Sequence, residues 1–308
     1  MEKVLGNKKA IMAMVLPALI VFVFVIFVPI IWTFVYSLYS GTPGLGFEFT
    51  GLTNYIDMFK NDATVDSIVM NWKYISVVTP GQIIFGLLVA LMMHFSIRKF
   101  KTLSRTIVFI PTILPAVAVA QMFAKMYEIT PNYGLFNSLL DVVGLEQFIT
   151  PWLGLSNTAF AALCVMDIWT AIGFYTVIIY GALVDIPEEM IEASRIDGAS
   201  GLKLFRYIIF PSIKTIMVTC LVFSFTGTIK LFVSAQALTK GGPGNATTSM
   251  TMNMYRNAFL FNEYGYASAI AIFILLQCLL VTLIISKLGK DRKNGGDFEW
   301  QNKKNSLL

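Results

Sequence analysis

A chain of 308 residues, 56% hydrophobic and only 13% charged, with a mean hydropathy of +0.70, does not have the composition of a water-soluble globule. Its formal net charge of +5 comes without an aromatic-interleaved basic face on a polar element, which excludes a nucleic-acid footprint. One histidine, His94, and three cysteines, Cys164, Cys220 and Cys278, all in or beside apolar runs, supply neither a disulfide framework nor metal-ligand spacing, so no metal and no catalytic chemistry is expected.

A helix crossing about 30 Å of hydrocarbon needs roughly 20 predominantly apolar residues. Six stretches qualify: Ile11 to Tyr36, Ile75 to Met93, Ile107 to Tyr127, Ala159 to Leu183, Pro211 to Phe232 and Ala267 to Ser286. The expectation is an all-α polytopic membrane protein: a short N-terminus at 1–10, one six-span membrane domain at 11–286 and a polar tail at 287–308. Of the 23 Lys and Arg residues, seventeen fall on the side of the termini, the second connection and the fourth, leaving Lys60, Lys73, Lys125, Lys230, Lys240 and Arg256 opposite. By the positive-inside rule both termini are expected in the cytoplasm.

Taken in order, the N-terminal apolar run is too long for a signal-peptide core and lacks a small-residue cleavage site, so it is expected to stay as the first span. Pro17 and Pro29 predict kinks within it. The outer connection that follows, about 37–71, opens with the turn-rich Gly41-Thr42-Pro43-Gly44-Leu45-Gly46, then Gly51-Leu52-Thr53-Asn54-Tyr55. Its acidic residues Glu48, Asp57, Asp62 and Asp66 read as a solvated face or as a docking surface for another protein. Pro111 and Pro115, four apart at the opening of the third span, must distort it, because each removes a donor and crowds an upstream carbonyl. The segment Pro131-Asn132-Tyr133-Gly134-Leu135-Phe136-Asn137 is expected to shape the outer mouth.

Polar residues inside spans point to a pathway, since an ionised side chain at mid-bilayer costs roughly 2.5–3.5 kcal/mol on insertion scales. Asp167 leads them, with Trp169 and Tyr175 below it and Gln121, Lys125, Thr226, Thr228 and Lys230 at comparable depth on neighbouring spans. Either some of these line a cavity for a hydroxyl-rich solute, or Asp167 pairs with Lys125 or Lys230 and neutralises itself.

The charged island from Pro187 to Pro211 predicts helix, elbow and second helix. Pro187 suits a first helical position, Glu188 and Glu189 lie in the positive first turn, and Asp197-Gly198 tolerates φ > 0 where the helix must stop. It is too polar to cross a bilayer and offers an acidic docking face. Farther on, Leu238-Thr239-Lys240-Gly241-Gly242-Pro243-Gly244 is glycine-rich, but no Gly-x-x-x-x-Gly-Lys-[Ser/Thr] occurs, so it is read as a tight outer turn rather than a phosphate cradle.

Within the elbow, Glu192-Ala193-Ser194, three residues, Gly198, nine residues and Ile208-Ile209-Phe210-Pro211 match the spacing of the EAA loop of ABC importer permeases. Ser194 and Phe210 depart from that pattern, replacing Ala and Leu. The Gly51-Leu52-Thr53-Asn54-Tyr55 segment, the Pro-rich third span and the Leu-Thr-x-Gly-Gly-Pro loop are similar to the same family. From about Gly51 to Ser286 the chain resembles the permease subunits of carbohydrate-uptake ABC transporters, in the branch of the larger, maltose-type subunit.

That resemblance implies half of a pore for a sugar or oligosaccharide in the cytoplasmic (inner) membrane of a prokaryote. It also implies a heterodimer with a related permease, two copies of a cytoplasmic ATPase and an extracytoplasmic solute-binding protein. No cofactor is expected on this chain, ATP and Mg being bound by the ATPase, and no enzymatic activity. Glu188, Glu189, Glu192, Ala193, Asp197, Gly198 and Ala199 are expected to couple to the ATPase, with Glu192 pairing with a basic residue, Ala193 packing closely and Gly198 permitting the turn. Glycerol phosphate or another polyol derivative is the alternative solute. An ion-coupled secondary carrier is the alternative class, although the repeats and broken helices at corresponding positions that it usually shows are not found.

Overall fold

Long apolar stretches become helices; Pro17 and Pro80 sit inside continuous α-helix, so no break answers the kink expected at Pro17, whereas the helix changes form just before Pro29 and Pro211. A computed structural model describes residues 8–42, 44–95 and 101–289. Lys3, Pro43, Arg98, Lys99 and the tail from Lys290 onward, including Arg292, Lys293, Lys303 and Lys304, lie outside the described residues. The first span runs through α1 (Lys8–Phe22), a π turn (Val23–Phe27) and α2 (Val28–Tyr36). The same device recurs after the elbow, where a π turn (Phe205–Ile209) joins α10 (Gly201–Leu204) to α11 (Phe210–Thr228). Each π turn ends two residues before a proline, Pro29 or Pro211. The carbonyl four residues before a proline has no N–H to accept and meets the ring, and a wider turn with i→i−5 bonds relieves both problems.

The third span differs from the sequence expectation of one helix over Ile107 to Tyr127. Here α5 (Lys101–Ile113) and α6 (Ala116–Met126) meet at 94°, with Pro111 inside the first and Pro115 at the break. Among the described residues five helices are long and apolar enough to cross a membrane, or six if this bent pair is one span. The remaining long helices are α4 (Asp62–Phe95), α8 (Ser156–Val184) and α14 (Tyr264–Gly289), each extending beyond the expected apolar stretch. Short helices fill the connections: α3 (Thr53–Lys60), α7 (Leu135–Val142), α9 (Glu188–Ile196), α12 (Val233–Leu238) and α13 (Met250–Phe259). The described residues are mostly helical, as expected, with one hairpin besides, β1 (Tyr39–Thr42) and β2 (Leu45–Phe49), antiparallel with Tyr39 opposite Phe49 and with Gly41, Gly44 and Gly46 at positive φ.

The chain forms two compact units. One comprises residues up to Asp66 with Met250–Leu276, the other Ser67–Ser249 with the residues from Gln277 onward. In the first, the Gly-Leu-Thr-Asn-Tyr segment acts as a clasp. Asn54 is buried and its Nδ2 donates to the carbonyls of Ser37 (2.9 Å) and Tyr39 (2.7 Å), while the Tyr55 hydroxyl lies 2.7 Å from that of Ser37.

In the second unit α8 is central, and glycines let its neighbours approach. A Cβ on Gly86 of α4 would sit 2.7 Å from Tyr175 Cβ, and one on Gly173 of α8 would sit 2.2 Å from the Val108 carbonyl of α5. Thr112 donates across the second contact to the Thr170 carbonyl at 2.9 Å. One apolar core joins α4, α8, the elbow and α11 through residues such as Met93, Leu183, Ile191, Leu204 and Ile213.

Candidate functional site: an exposed elbow and a polar cavity

The elbow follows from local bonding. Pro187 does not open helix α9 from within. It is the N-cap, with extended ψ of 132°, because its ring pre-sets φ while its carbonyl starts the helix. At the other end Asp197 caps and Gly198 takes φ +83°. The Gly198 N–H donates to the Arg195 carbonyl (3.0 Å) and the Ala199 N–H to the Ser194 carbonyl (2.9 Å), the paired bonds of a Schellman stop. No atom lies within 4 Å of where a Gly198 Cβ would sit, so glycine is required there by backbone conformation and not by space.

Only Ile191 and Ser194 of α9 are buried, three residues apart on one face. Ser194, where the family spacing has Ala, fits because it is small and its hydroxyl donates to the Ile191 carbonyl at 2.7 Å. Glu188, Glu189, Glu192, Ala193, Asp197 and Gly198 are exposed and Ala199 is half-buried. Ile196 at 87% and Leu202 at 79% exposure flank the turn, so the elbow presents apolar as well as acidic groups. Sequence reasoning named the acids and missed these two.

The second feature is a cavity of about 320 Å³ inside the second unit, at the small end of the ~300–1,000 Å³ range of ligand pockets. Asp167, Tyr175, Thr228 and Lys230 all line it. Gln121, Lys125, Trp169 and Thr226 do not line it. Gln121 is exposed on α6 and Trp169 turns its ring to Phe123 of α6, 5.4 Å between centroids. The Thr226 hydroxyl donates to its own helix at Val222 O, 2.6 Å. Lys125 pairs with Glu128 at 2.9 Å, and among the described residues no ion pair reaches Asp167.

Asp167 is held by hydroxyls. Its Oδ2 accepts from Tyr74 of α4 at 2.5 Å and from Ser234 of α12 at 2.9 Å, whereas no hydrogen bond to Oδ1 is formed among the described residues. Gln82 ties three helices: its Nε2 donates to the Asp167 carbonyl (3.2 Å) and its Oε1 accepts from Ser224 of α11 (2.7 Å). Thr79 and Thr228 face each other at 3.1 Å. Sequence reasoning missed Tyr74, Gln82, Ser224 and Ser234. Gln82 carried the clearest signal, an amide inside an apolar run, while Ser234 gave none because the chain turns back after α11 instead of continuing to Phe232.

That return is fixed by the glycine-rich loop. Gly241, at φ +86°, offers its carbonyl to the Thr247 N–H (3.2 Å) and the Thr248 hydroxyl (3.1 Å). The Gly242–Pro243 bond is cis, and the Gly242 carbonyl accepts from the Thr247 hydroxyl at 2.9 Å. Ser249 then donates to the Leu231 carbonyl beside the cavity.

Comparison with known proteins gives the family of the chain. Residues 82–293 match the family of binding-protein-dependent transport system inner membrane components. The chain is 31% identical over 281 residues to the probable ABC transporter permease YurN of Bacillus subtilis, covering 90% of this chain and 94% of that one. It is also 31% identical over 282 residues to the trehalose/maltose transport permease MalF of Thermococcus litoralis, covering 91% and 94%. Among solved structures, a chain of a bacterial ABC transporter involved in import of the acidic polysaccharide alginate superposes with a TM-score of 0.79 at 20% identity, covering 92% of this chain and 96% of that one. The family match over residues 82–293 and the relatives at 31% identity show that this chain belongs to the binding-protein-dependent inner membrane components, the permeases of ABC transporters.

Proposed function

We propose that this permease forms half of the path by which an uncharged sugar or short oligosaccharide crosses a prokaryotic inner membrane, and that the Asp167 cavity is a solute site. The observation that carries the proposal is the arrangement of the Asp167 carboxylate: two hydroxyl donors fix Oδ2 and leave Oδ1 as an acceptor in a cavity that Lys230 also lines. A polyol needs both acceptors and donors, and Tyr175 adds an aromatic face for the apolar side of a sugar ring. The saccharide names carried by relatives, trehalose/maltose among them, point the same way.

The positive-inside count supports placing the elbow in the cytoplasm. There Glu188, Glu189 and Glu192 would meet a basic groove on a separate ATPase that binds ATP and Mg, with Ile196 and Leu202 as apolar contacts. Gly198 and Ala199 would set the turn, Ala193 would allow close packing, and Asp197 would close the helix. The buried pair Ile191 and Leu204 shares a core with α4, α8 and α11, the helices that carry Tyr74, Asp167 and Ser224. Movement of the elbow would thus reach the cavity walls through packed side chains. A second permease, two ATPase copies and an extracytoplasmic binding protein complete the importer.

The test is solute uptake by cells producing Asp167→Asn and Gln82→Ala chains at normal membrane levels. The proposal expects a raised apparent half-saturation concentration in both. Unchanged affinity in both would remove the cavity from the solute path.

A further inference from the structure

Helix α3 carries three distinct faces. Asn54 (6% exposed) and Met58 (0%) are buried four residues apart. Leu52, Ile56 and Phe59, spaced at i, i+4 and i+7, form a second face and are 64%, 54% and 58% exposed. Thr53, Asp57 and Lys60 form the third, polar and exposed. A helix beside water on its whole free surface has no use for the second face.

The depth of α3 along the spans is fixed by its contacts. Asn54 and Tyr55 clasp Ser37 and Tyr39, immediately after the last residue of the first span. Phe59 packs edge-to-face on Phe273, 5.5 Å between centroids, nine residues inside the apolar α14. At the level of the α3 clasp, Tyr266 of α14 bonds Thr64 at 2.8 Å, and a Cβ on Gly265 would lie 1.8 Å from the Tyr39 carbonyl. Helix α3 therefore sits where two spans end, its charged edge adjoining its apolar edge, and the first span beside it exposes apolar side chains along its length.

We propose that α3 is an interfacial helix whose Leu52–Ile56–Phe59 face is immersed in the lipid leaflet at this end of the spans, with Asp57 and Lys60 directed to water. A short helix with one apolar edge at the headgroup–acyl boundary and one charged edge outside it satisfies both solvents. Phe49, 67% exposed at the end of β2, extends the same boundary with an aromatic side chain. The helix would tether the hairpin and the outer end of α4 to the bilayer surface.

The test is spin-label accessibility on the full-length chain, purified with its partners and reconstituted in phosphatidylethanolamine/phosphatidylglycerol liposomes. Single cysteines replace Ile56, Phe59, Asp57 or Lys60 on a background with Cys164, Cys220 and Cys278 changed to alanine. Labels at 56 and 59 are expected to collide several-fold more with oxygen than with an aqueous nickel chelate, and those at 57 and 60 to show the reverse. Equal nickel access at all four positions would mean a water-exposed helix. Inaccessibility of 56 and 59 to both reagents would mean a protein cover. Either result overturns the proposal. A second readout leaves the cysteines in place: brominated lipid should quench Phe59→Trp above the unsubstituted chain and leave Lys60→Trp unquenched, and equal quenching of the two would contradict the immersion.

Discussion

In the elbow every fixed polar group is satisfied within a few residues of itself: Ser194 bonds Ile191, Gly198 bonds Arg195 and Ala199 bonds Ser194. In the cavity the partners are far apart in the chain, Tyr74 and Asp167 by 93 residues, Gln82 and Ser224 by 142, Thr79 and Thr228 by 149. The first arrangement makes a stiff, self-contained lever with one buried edge. The second makes a joint between helices that can exist only when α4, α8, α11 and α12 are assembled, so any shift among them changes what the cavity offers a solute. A locally bonded elbow and a network shared between helices are what the proposed motion-driven path would use.

Substitutions can break this contrast, and the largest effect is expected at the elbow. Gly198→Pro forces φ from +83° to about −65° and removes the bond to Arg195, a local cost of roughly 3 kcal/mol or more, and should abolish uptake at normal protein levels. Gly198→Asn, tolerant of the left-handed region, should retain most uptake, so equal loss in both variants would argue against a conformational role.

Next is Asp167→Ala, which strands the Tyr74 and Ser234 hydroxyls. At about 1–3 kcal/mol for a group left without a partner, the purified complex should lose thermal stability, and uptake at normal membrane levels should fall. Tyr74→Phe removes one of the two donors and should give a smaller, several-fold rise in half-saturation concentration measured with the same solute. Ser194→Ala tests the elbow's independence. Its hydroxyl bonds only its own helix, so thermal stability of the purified complex should change by less than about 0.5 kcal/mol and uptake should hold. The smallest effect belongs to Lys125→Ala, outside both regions. Its pair with Glu128 is exposed, worth about 0–1 kcal/mol, and uptake should be unaltered.

The same contrast explains what the sequence discloses. The elbow was legible because its determinants are local: proline before the helix, acids in the first turn, glycine at φ > 0 after it. Asp167 was legible as a charge in an apolar run. Its partners were not, since Ser234 reaches it only because the chain folds back at Lys230–Phe232, and nothing in an isolated apolar stretch announces that return. Depth along a straight helix puts Gln121 and Lys125 at a level comparable to Asp167 but says nothing of which way the helix runs. The 94° break at Pro115 redirects the helix that carries them, and the structure puts neither residue on the cavity wall. The prolines foretold a distortion without its size, which depends on what packs on either side.

Coupling through the elbow is tested most directly by mild-detergent co-purification of the tagged chain from its native membranes, with the bound proteins identified by mass spectrometry, beside the Gly198→Pro chain. A cytoplasmic ATPase and a second permease are expected with the intact chain, and loss of the ATPase alone with the variant. Recovery of the intact chain by itself, under conditions that preserve other membrane complexes, would contradict a transport path driven by a separate ATPase.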